Sequence, residues 1–198
     1  LMMGERAAIT FTSPPYNAGE TPTETQSGKA SKYKDDQDSK DDDDYLDLLS
    51  EFTDTALSFS DYVFVNIQML SGNKKALISY LFNLLDNLAD IAIWDKVNAQ
   101  PAMAHRVMDS RFEFVVVFSQ GGTRAIGTRD FRGMVHNVYT GQPQRNNEYA
   151  DSHSATFPLE LPSHFIKNFT NIDNIVLEPF CGTGTTLLSC EQLNRQCR

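Results

Sequence analysis

Two rhythms of apolar residues run along the chain. Unbroken β-branched and aromatic runs at 7–12, 62–65, 91–94, 112–118 and 175–177 predict five strands, since runs this short suit strands covered on both faces. Between them, apolar residues at 45, 46, 48, 49, 52, 56 and 59 mark a helical stripe over 45–59. It lies behind a run of Asp, which suits the positive end of a helix. A second stripe spans 77–88, a short helix is expected over 161–169 behind Pro158, and another over about 185–193. Strands alternating with helices predict an α/β domain: a central, mostly parallel sheet with helices on both faces. Two segments break the rhythm. Residues 17–44 are polar and end in DDQDSKDDDD, and 119–152 carry Gly, Arg, Asn and Gln without sustained periodicity. The first is expected to be a mobile acidic loop, and the second a long functional connection.

The 198 residues carry 17 Lys and Arg against 26 Asp and Glu, a net charge of -9. That balance argues against a generally basic nucleic-acid coat. It is uneven, however: residues 105–150 hold six Arg against four acids and run against the acidic average. No apolar run approaches the roughly 20 residues of a membrane span. The three cysteines, Cys181, Cys190 and Cys197, form no metal-binding spacing, so a reducing compartment is expected. The Asp run lacks the Gly and Glu spacing of a calcium loop, and no metal site is expected.

Two loops carry candidate chemistry. Phe180-Cys181-Gly182-Thr183-Gly184 follows a strand and opens a helix, so backbone amides and a helix N-terminus would face a ligand there. It lacks the Lys of a phosphate loop and the third Gly of the dinucleotide fingerprint, which favours a nucleoside-like ligand over a triphosphate. A plain strand–helix turn would also produce it. Ser13-Pro14-Pro15-Tyr16 closes the first strand. Two prolines remove two amide donors and leave carbonyl acceptors beside a hydroxyl and an aromatic ring, a patch suited to the amino group of a planar base. A proline-rich loop with a packing tyrosine is the plainer alternative.

Together these elements resemble the DNA amino-methyltransferases, which methylate cytosine-N4 or adenine-N6. Ser13-Pro14-Pro15-Tyr16 matches the family's catalytic [DNS]-P-P-[YFW]. Glu178-Pro179-Phe180-Cys181-Gly182-Thr183-Gly184-Thr185-Thr186 matches its cofactor motif, with Glu in place of the usual Asp. Trp94-Asp95-Lys96 with Ser110-Arg111-Phe112-Glu113-Phe114 resembles the W-x-K…R-[FY]-E segment, and Ala155-Thr156-Phe157-Pro158 the segment that closes the cofactor pocket. The catalytic motif precedes the cofactor motif, as in the family's β class.

The resemblance implies one Rossmann-like, S-adenosylmethionine-dependent catalytic domain over 1–198 and direct methyl transfer to a flipped base in duplex DNA. It implies Ser13, Pro14, Pro15 and Tyr16 as the catalytic set. Thr12, Phe157, Pro158 and Glu178 to Thr186 would hold S-adenosyl-L-methionine, and Arg106, Arg111, Arg124, Arg129, Arg132 and Arg145 would face DNA. Residues 119–152 would form a target-recognition loop, a solvated connection being the plainer alternative. Ser rather than Asp at position 13 favours cytosine-N4. Adenine-N6 transfer and a non-catalytic DNA-binding subunit of the same fold are the alternatives. A cytoplasmic, bacterial or phage restriction-modification setting is implied, with a dimer left open. Tyr33-Lys34-Asp35-Asp36 resembles a variable stretch of the family's loop. About five of the family's seven strands are legible. The leading Leu and a last helix without a closing element suggest cuts at both ends. An unpaired sheet edge beside 175–177 and weak or no cofactor binding are therefore expected.

Overall fold

The computed structural model describes residues 4–17, 40–100, 106–127, 129–143 and 157–198. In chain order the elements are β1 (Ala7–Thr12), α1 (Asp42–Phe59), β2 (Ser60–Ile67), α2 (Lys74–Asn83), β3 (Leu88–Gln100) and β4 (Ser110–Ser119). They continue with β5 (Val138–Thr140), α3 (Glu160–Phe169), β6 (Ile175–Leu177), α4 (Thr185–Gln192) and β7 (Gln196–Cys197). The strands form one sheet in the order β5-β3-β4-β2-β1-β6-β7. Four of its pairings are parallel, and β4 alone runs antiparallel to both neighbours, β2 and β3.

Period-two alternation divides each central strand between two cores. Val63, Val65 and Ile67 of β2, with Val116 and Phe118 of β4, meet Tyr45, Leu49 and Leu57 of α1 and Leu77 and Tyr80 of α2. Phe64, Val115 and Val117 face the other way, onto Phe165, Ile166 and Phe169 of α3 and Cys190 of α4. Helices therefore cover both faces, and this double burial makes the strands read as unbroken apolar runs. Within the first core, the Thr53 and Tyr80 hydroxyls hydrogen-bond at 2.6 Å, both fully buried. Burial holds the Tyr80 phenol well above its ordinary ionisation range. Tyr80→Phe should cost about 1–2 kcal/mol by orphaning the Thr53 hydroxyl. The check is a lower urea midpoint with an unchanged m-value.

Several boundaries differ from those expected. α1 begins at Asp42, so the end of the acidic segment is helix: Asp41 caps it by accepting from the Asp44 amide at 2.8 Å, and Asp42, Asp43 and Asp44 fill the first turn. That arrangement satisfies an orphan donor and sets negative charge against the helix dipole. α2 stops at Asn83, and Leu88 already belongs to β3, because apolar residues at a turn and a strand start had continued the helical spacing. The 119–152 segment contains β5, an edge strand with two exposed residues and no alternation to betray it. Residues 18–39, with Tyr33 to Asp36, and 144–152 lie outside the described residues.

The sheet edge beside β6 is paired, against expectation. Ile175 and Val176 register with Gln196 and Cys197 of β7, the Glu178 amide donates to the Arg198 carbonyl at 2.9 Å, and the Arg198 amide donates to Val176 at 3.0 Å. The last residues are thus strand, not helix, and seven strands replace the five expected, so missing strands no longer argue for weak cofactor binding. Two residues are too few for a periodic signal. No helix among the described residues is long and apolar enough to cross a membrane.

The topology fixes where a ligand can lie. From β1 the chain crosses through α1 to β2 on one side. From β6 it crosses through α4 to β7 on the other. Right-handed crossovers in opposite directions place α1 and α4 on opposite faces. A crevice is left between the adjacent parallel strands β1 and β6, at their C-terminal ends. Both candidate loops leave the sheet there.

Candidate active site

Ser13-Pro14-Pro15-Tyr16 emerges from β1 and is held from three directions. Tyr45 of α1 donates its hydroxyl to the Pro15 carbonyl at 2.7 Å. The fully buried Asn73, in the turn before α2, donates its amide to the Tyr16 carbonyl. Asn17, at positive φ, exchanges two hydrogen bonds with the Lys40 backbone at 2.7 and 2.9 Å. The Pro15 and Tyr16 carbonyls are therefore taken, whereas that of Pro14 meets no donor among the described residues.

The Tyr16 side chain turns inward. Its hydroxyl donates to Glu113 Oε2 at 2.7 Å and accepts from the Ser13 hydroxyl at 3.2 Å, with Asn66 Oδ1 also 3.2 Å away. Glu113, the fourth residue of β4, lies opposite Trp94 of β3 and is only 6% exposed. It accepts from Asn66 Nδ2 at 3.0 Å and ion-pairs with Lys96, whose ammonium lies 5.3 Å from the centre of the Trp94 ring. Trp94 donates its indole N–H to the Gly141 carbonyl at 2.8 Å. Burial first, and the facing Glu113 second, push the Tyr16 phenol well above its ordinary range.

Across the crevice, Glu178 follows β6 and is also 6% exposed. Its carboxylate accepts from the Thr12 hydroxyl, from the Thr186 hydroxyl at 2.7 Å and from the Phe180 amide at 3.0 Å. One side chain thus ties the end of β1 to the glycine-rich loop and to the first turn of α4. Burial pushes the Glu178 carboxyl upward, opposed by these three donors. Gly182 (φ 52°) and Gly184 (φ 78°) adopt the left-handed conformation open to glycine. A Cβ on Gly184 would meet nothing within 4 Å, and one on Gly182 only the Phe180 carbonyl at 3.8 Å. The glycines thus serve the turn and leave open space over the N-terminus of α4. Phe180 meets Phe52 edge-on at 5.2 Å, Phe157 meets Phe11 edge-on at 5.9 Å, Pro158 is buried and Cys181 is exposed. The Thr183 and Thr185 hydroxyls are 3.1 Å apart, and Pro179 lies at the turn between Glu178 and Phe180. Ala155 and Thr156 lie outside the described residues.

The structure therefore brings the expected catalytic and cofactor residues to one crevice, but it does not gather the arginines. Arg111 forms a two-pronged pair with Asp95 at 2.7 and 2.8 Å, two residues from Glu113. Arg124 pairs with Asp90 at 3.0 Å, roughly 13 Å along β3 from Trp94 at about 3.3 Å per residue. Arg129 donates to Asn168 of α3 at 2.8 Å, and Arg132 folds onto Asp130. Arg106 is exposed before β4, and Arg145 lies outside the described residues. Sequence reasoning missed Asn66, Asn73 and Tyr45. The first two were visible as asparagines ending an apolar run and a turn. Lys96 and Glu113 were noted as part of a motif, without a role.

An open α/β sheet with both loops at one switch point agrees with the S-adenosylmethionine-dependent methyltransferase fold, which its solved structural neighbours share. The sequence matches the DNA methylase family of N6/N4 methyltransferases over residues 7–197, and the chain belongs to that family. It is 29% identical over 109 residues to the type II methyltransferase M.Cfr9I of Citrobacter freundii, covering 52% of this chain and 36% of that protein. It is 27% identical over 112 residues to M.SmaI of Serratia marcescens, covering 53% and 38%. The matched stretch thus spans little more than a third of these relatives' length. Among solved structures, PvuII DNA methyltransferase (cytosine-N4-specific) superposes with a TM-score of 0.72 at 19% identity, covering 100% of this chain and 76% of that one. The M1.HpyAVI–SAM complex superposes with 0.63 at 17% identity, covering 99% and 82%.

Proposed function

We propose that this chain transfers a methyl group from S-adenosyl-L-methionine to the exocyclic amino group of a base in DNA, with cytosine-N4 as the preferred target. The observation that carries this reading is the Pro14 carbonyl and Ser13 hydroxyl on one lip of the crevice, with the open glycine-rich loop on the other. The cofactor, when bound, supplies an electrophilic methyl group on a sulfonium. The left-handed Gly182 and Gly184 and the free space above α4 fit a nucleoside there, with Thr12, Phe157, Pro158 and Phe180 to Thr186 around it. Glu178 serves that loop from beneath rather than by reaching out.

On the other lip, the Pro14 carbonyl and Ser13 oxygen accept the amino N–H groups. This draws the nitrogen lone pair out of conjugation and aims it at the methyl carbon. Once methylated, the nitrogen sheds one of the protons held here to solvent water at the open crevice, since neither the Pro14 carbonyl nor the Ser13 hydroxyl is a base near neutral pH. Tyr16 supplies a ring against which an unstacked base can rest. Among the basic residues, Arg106 and Arg111 stand where β4 enters the site and are the first candidates for phosphate contact. Ser13 at the head of the motif supports cytosine over adenine, and PvuII DNA methyltransferase is described as cytosine-N4-specific.

The test is incubation of the chain with plasmid DNA and tritiated S-adenosyl-L-methionine, followed by nucleoside analysis. Label in N4-methylcytosine is expected. Label in N6-methyladenine would move the target, and DNA binding without any label would favour the non-catalytic alternative.

A further inference from the structure

We propose that Glu113 and Lys96 act as a pair of positioning residues, clamping the Tyr16 side chain by its hydroxyl so that its ring holds one attitude beside Ser13. The inference rests on the methyl-transfer reading for its purpose, but the clamp itself is a geometric claim.

Stacking needs only an aromatic face, and a phenylalanine at position 16 would provide one. The hydroxyl does something more: it reaches a buried carboxylate at 2.7 Å, and a hydrogen bond to an ionised acceptor is roughly twice as strong as a neutral one. That carboxylate is itself held. Lys96 neutralises one oxygen and Asn66 donates to the other. A buried acid without such partners would be costly to keep charged. Lys96 is positioned in turn over the Trp94 ring, which is fixed by its bond to Gly141. The chain of support therefore runs from β3 through Lys96 and Glu113 to Tyr16, and through the Tyr16 hydroxyl to Ser13. None of its side chains hydrogen-bonds to Glu178, which has its own three donors. Two buried acids thus divide the crevice, one under each lip. The ring is fixed at both ends, because Asn73 holds its backbone carbonyl while Glu113 holds its hydroxyl.

The clamp predicts a kinetic signature that a general loss of folding would not give. Glu113→Gln should lower kcat about tenfold or more while leaving KM for S-adenosyl-L-methionine within about twofold. Tyr16→Phe should act similarly, and the Tyr16→Phe/Glu113→Gln double variant should be little worse than either single one, since both remove the same contact. Lys96→Met should lose activity that Lys96→Arg largely recovers. Additive losses, or a change confined to KM for the cofactor, would overturn the clamp.

A second readout needs no turnover. In the chain labelled with tyrosine carbon-13 at the phenol carbon, the Tyr16 signal is assigned by its absence in Tyr16→Phe. It faces Glu113 and Tyr45, with Lys96 paired to Glu113 behind it, and should stay unionised well above the ordinary tyrosine range. In Glu113→Gln it should titrate lower. Identical titration in both proteins would sink the proposal. If the unsubstituted chain transfers no methyl group, the methyl-transfer reading fails, and this titration alone decides the clamp.

Discussion

Tyr16→Ala is expected to reduce methyl transfer at least a hundredfold while leaving the sheet folded. Two losses combine. Stacking of a base on an aromatic ring contributes about 1–3 kcal/mol, and each 1.4 kcal/mol is tenfold in rate when it is realised in the transition state. The hydroxyl anchor goes as well, so Glu113 Oε2 and the Ser13 hydroxyl lose the group between them. Pro14→Ala should also be severely impaired. It releases the φ constraint that presents the free carbonyl. The measurement is tritium transfer to DNA at saturating cofactor, with far-ultraviolet circular dichroism to establish that the fold survives. Activity within twofold of the unsubstituted chain for Tyr16→Ala would remove this loop from the catalytic machinery.

Glu178→Ala should show the largest effect on stability. It strips partners from the Thr12 and Thr186 hydroxyls, both essentially fully buried, and from the Phe180 amide. With unsatisfied buried groups costing about 1–3 kcal/mol each and partial relaxation, a loss of about 3 kcal/mol is expected. For a chain of this size that is a fall of roughly 6–12 °C in Tm. Glu178→Gln should behave differently, since an amide oxygen can still accept from Thr12 and Phe180 and burial penalises only the charged form. The sign of the pH effect follows from the upward shift of this carboxyl. The folded chain takes up the proton at higher pH than the unfolded one. The stability Glu178 contributes is therefore fully present below its unfolded value of about 4.3 and lost as pH rises through the folded value. Glu178→Gln should remove that decline, which urea titrations from pH 4 upward would reveal.

What the sequence revealed and what it hid follow from how each feature is encoded. The doubly covered strands were plain because burial on two faces leaves an unbroken apolar run, as in Val115-Val116-Val117-Phe118. Both lips of the crevice were legible because proline restricts the backbone and glycine frees it, wherever they stand. β5 and β7 escaped notice because edge strands of three and two residues are held by backbone pairing, which leaves no mark on side-chain pattern. The arginines of 105–150 were read as a basic surface by counting charge, but a count cannot show that Asp95, Asp90 and Asp130 stand opposite three of them. The network behind Tyr16 was half-legible. Trp94 and Lys96 share a face of β3 by alternation and Glu113 lies across from them, yet only the register of two antiparallel strands brings them together.

The reversed direction of β4 has one more consequence. At the end of the sheet where the crevice opens, β1, β2 and β6 each lead into a connection that must return along a face of the sheet, and changing its length means repacking a helix. β3 and β4 are antiparallel neighbours there, and their connection holds no helix among the described residues; Val107 and Met108 are exposed just before β4 and Phe112 within it. Lengthening such a connection costs only about 0.6 kcal/mol per doubling. The rim of this crevice can therefore be lengthened from the β3–β4 side without disturbing either lip.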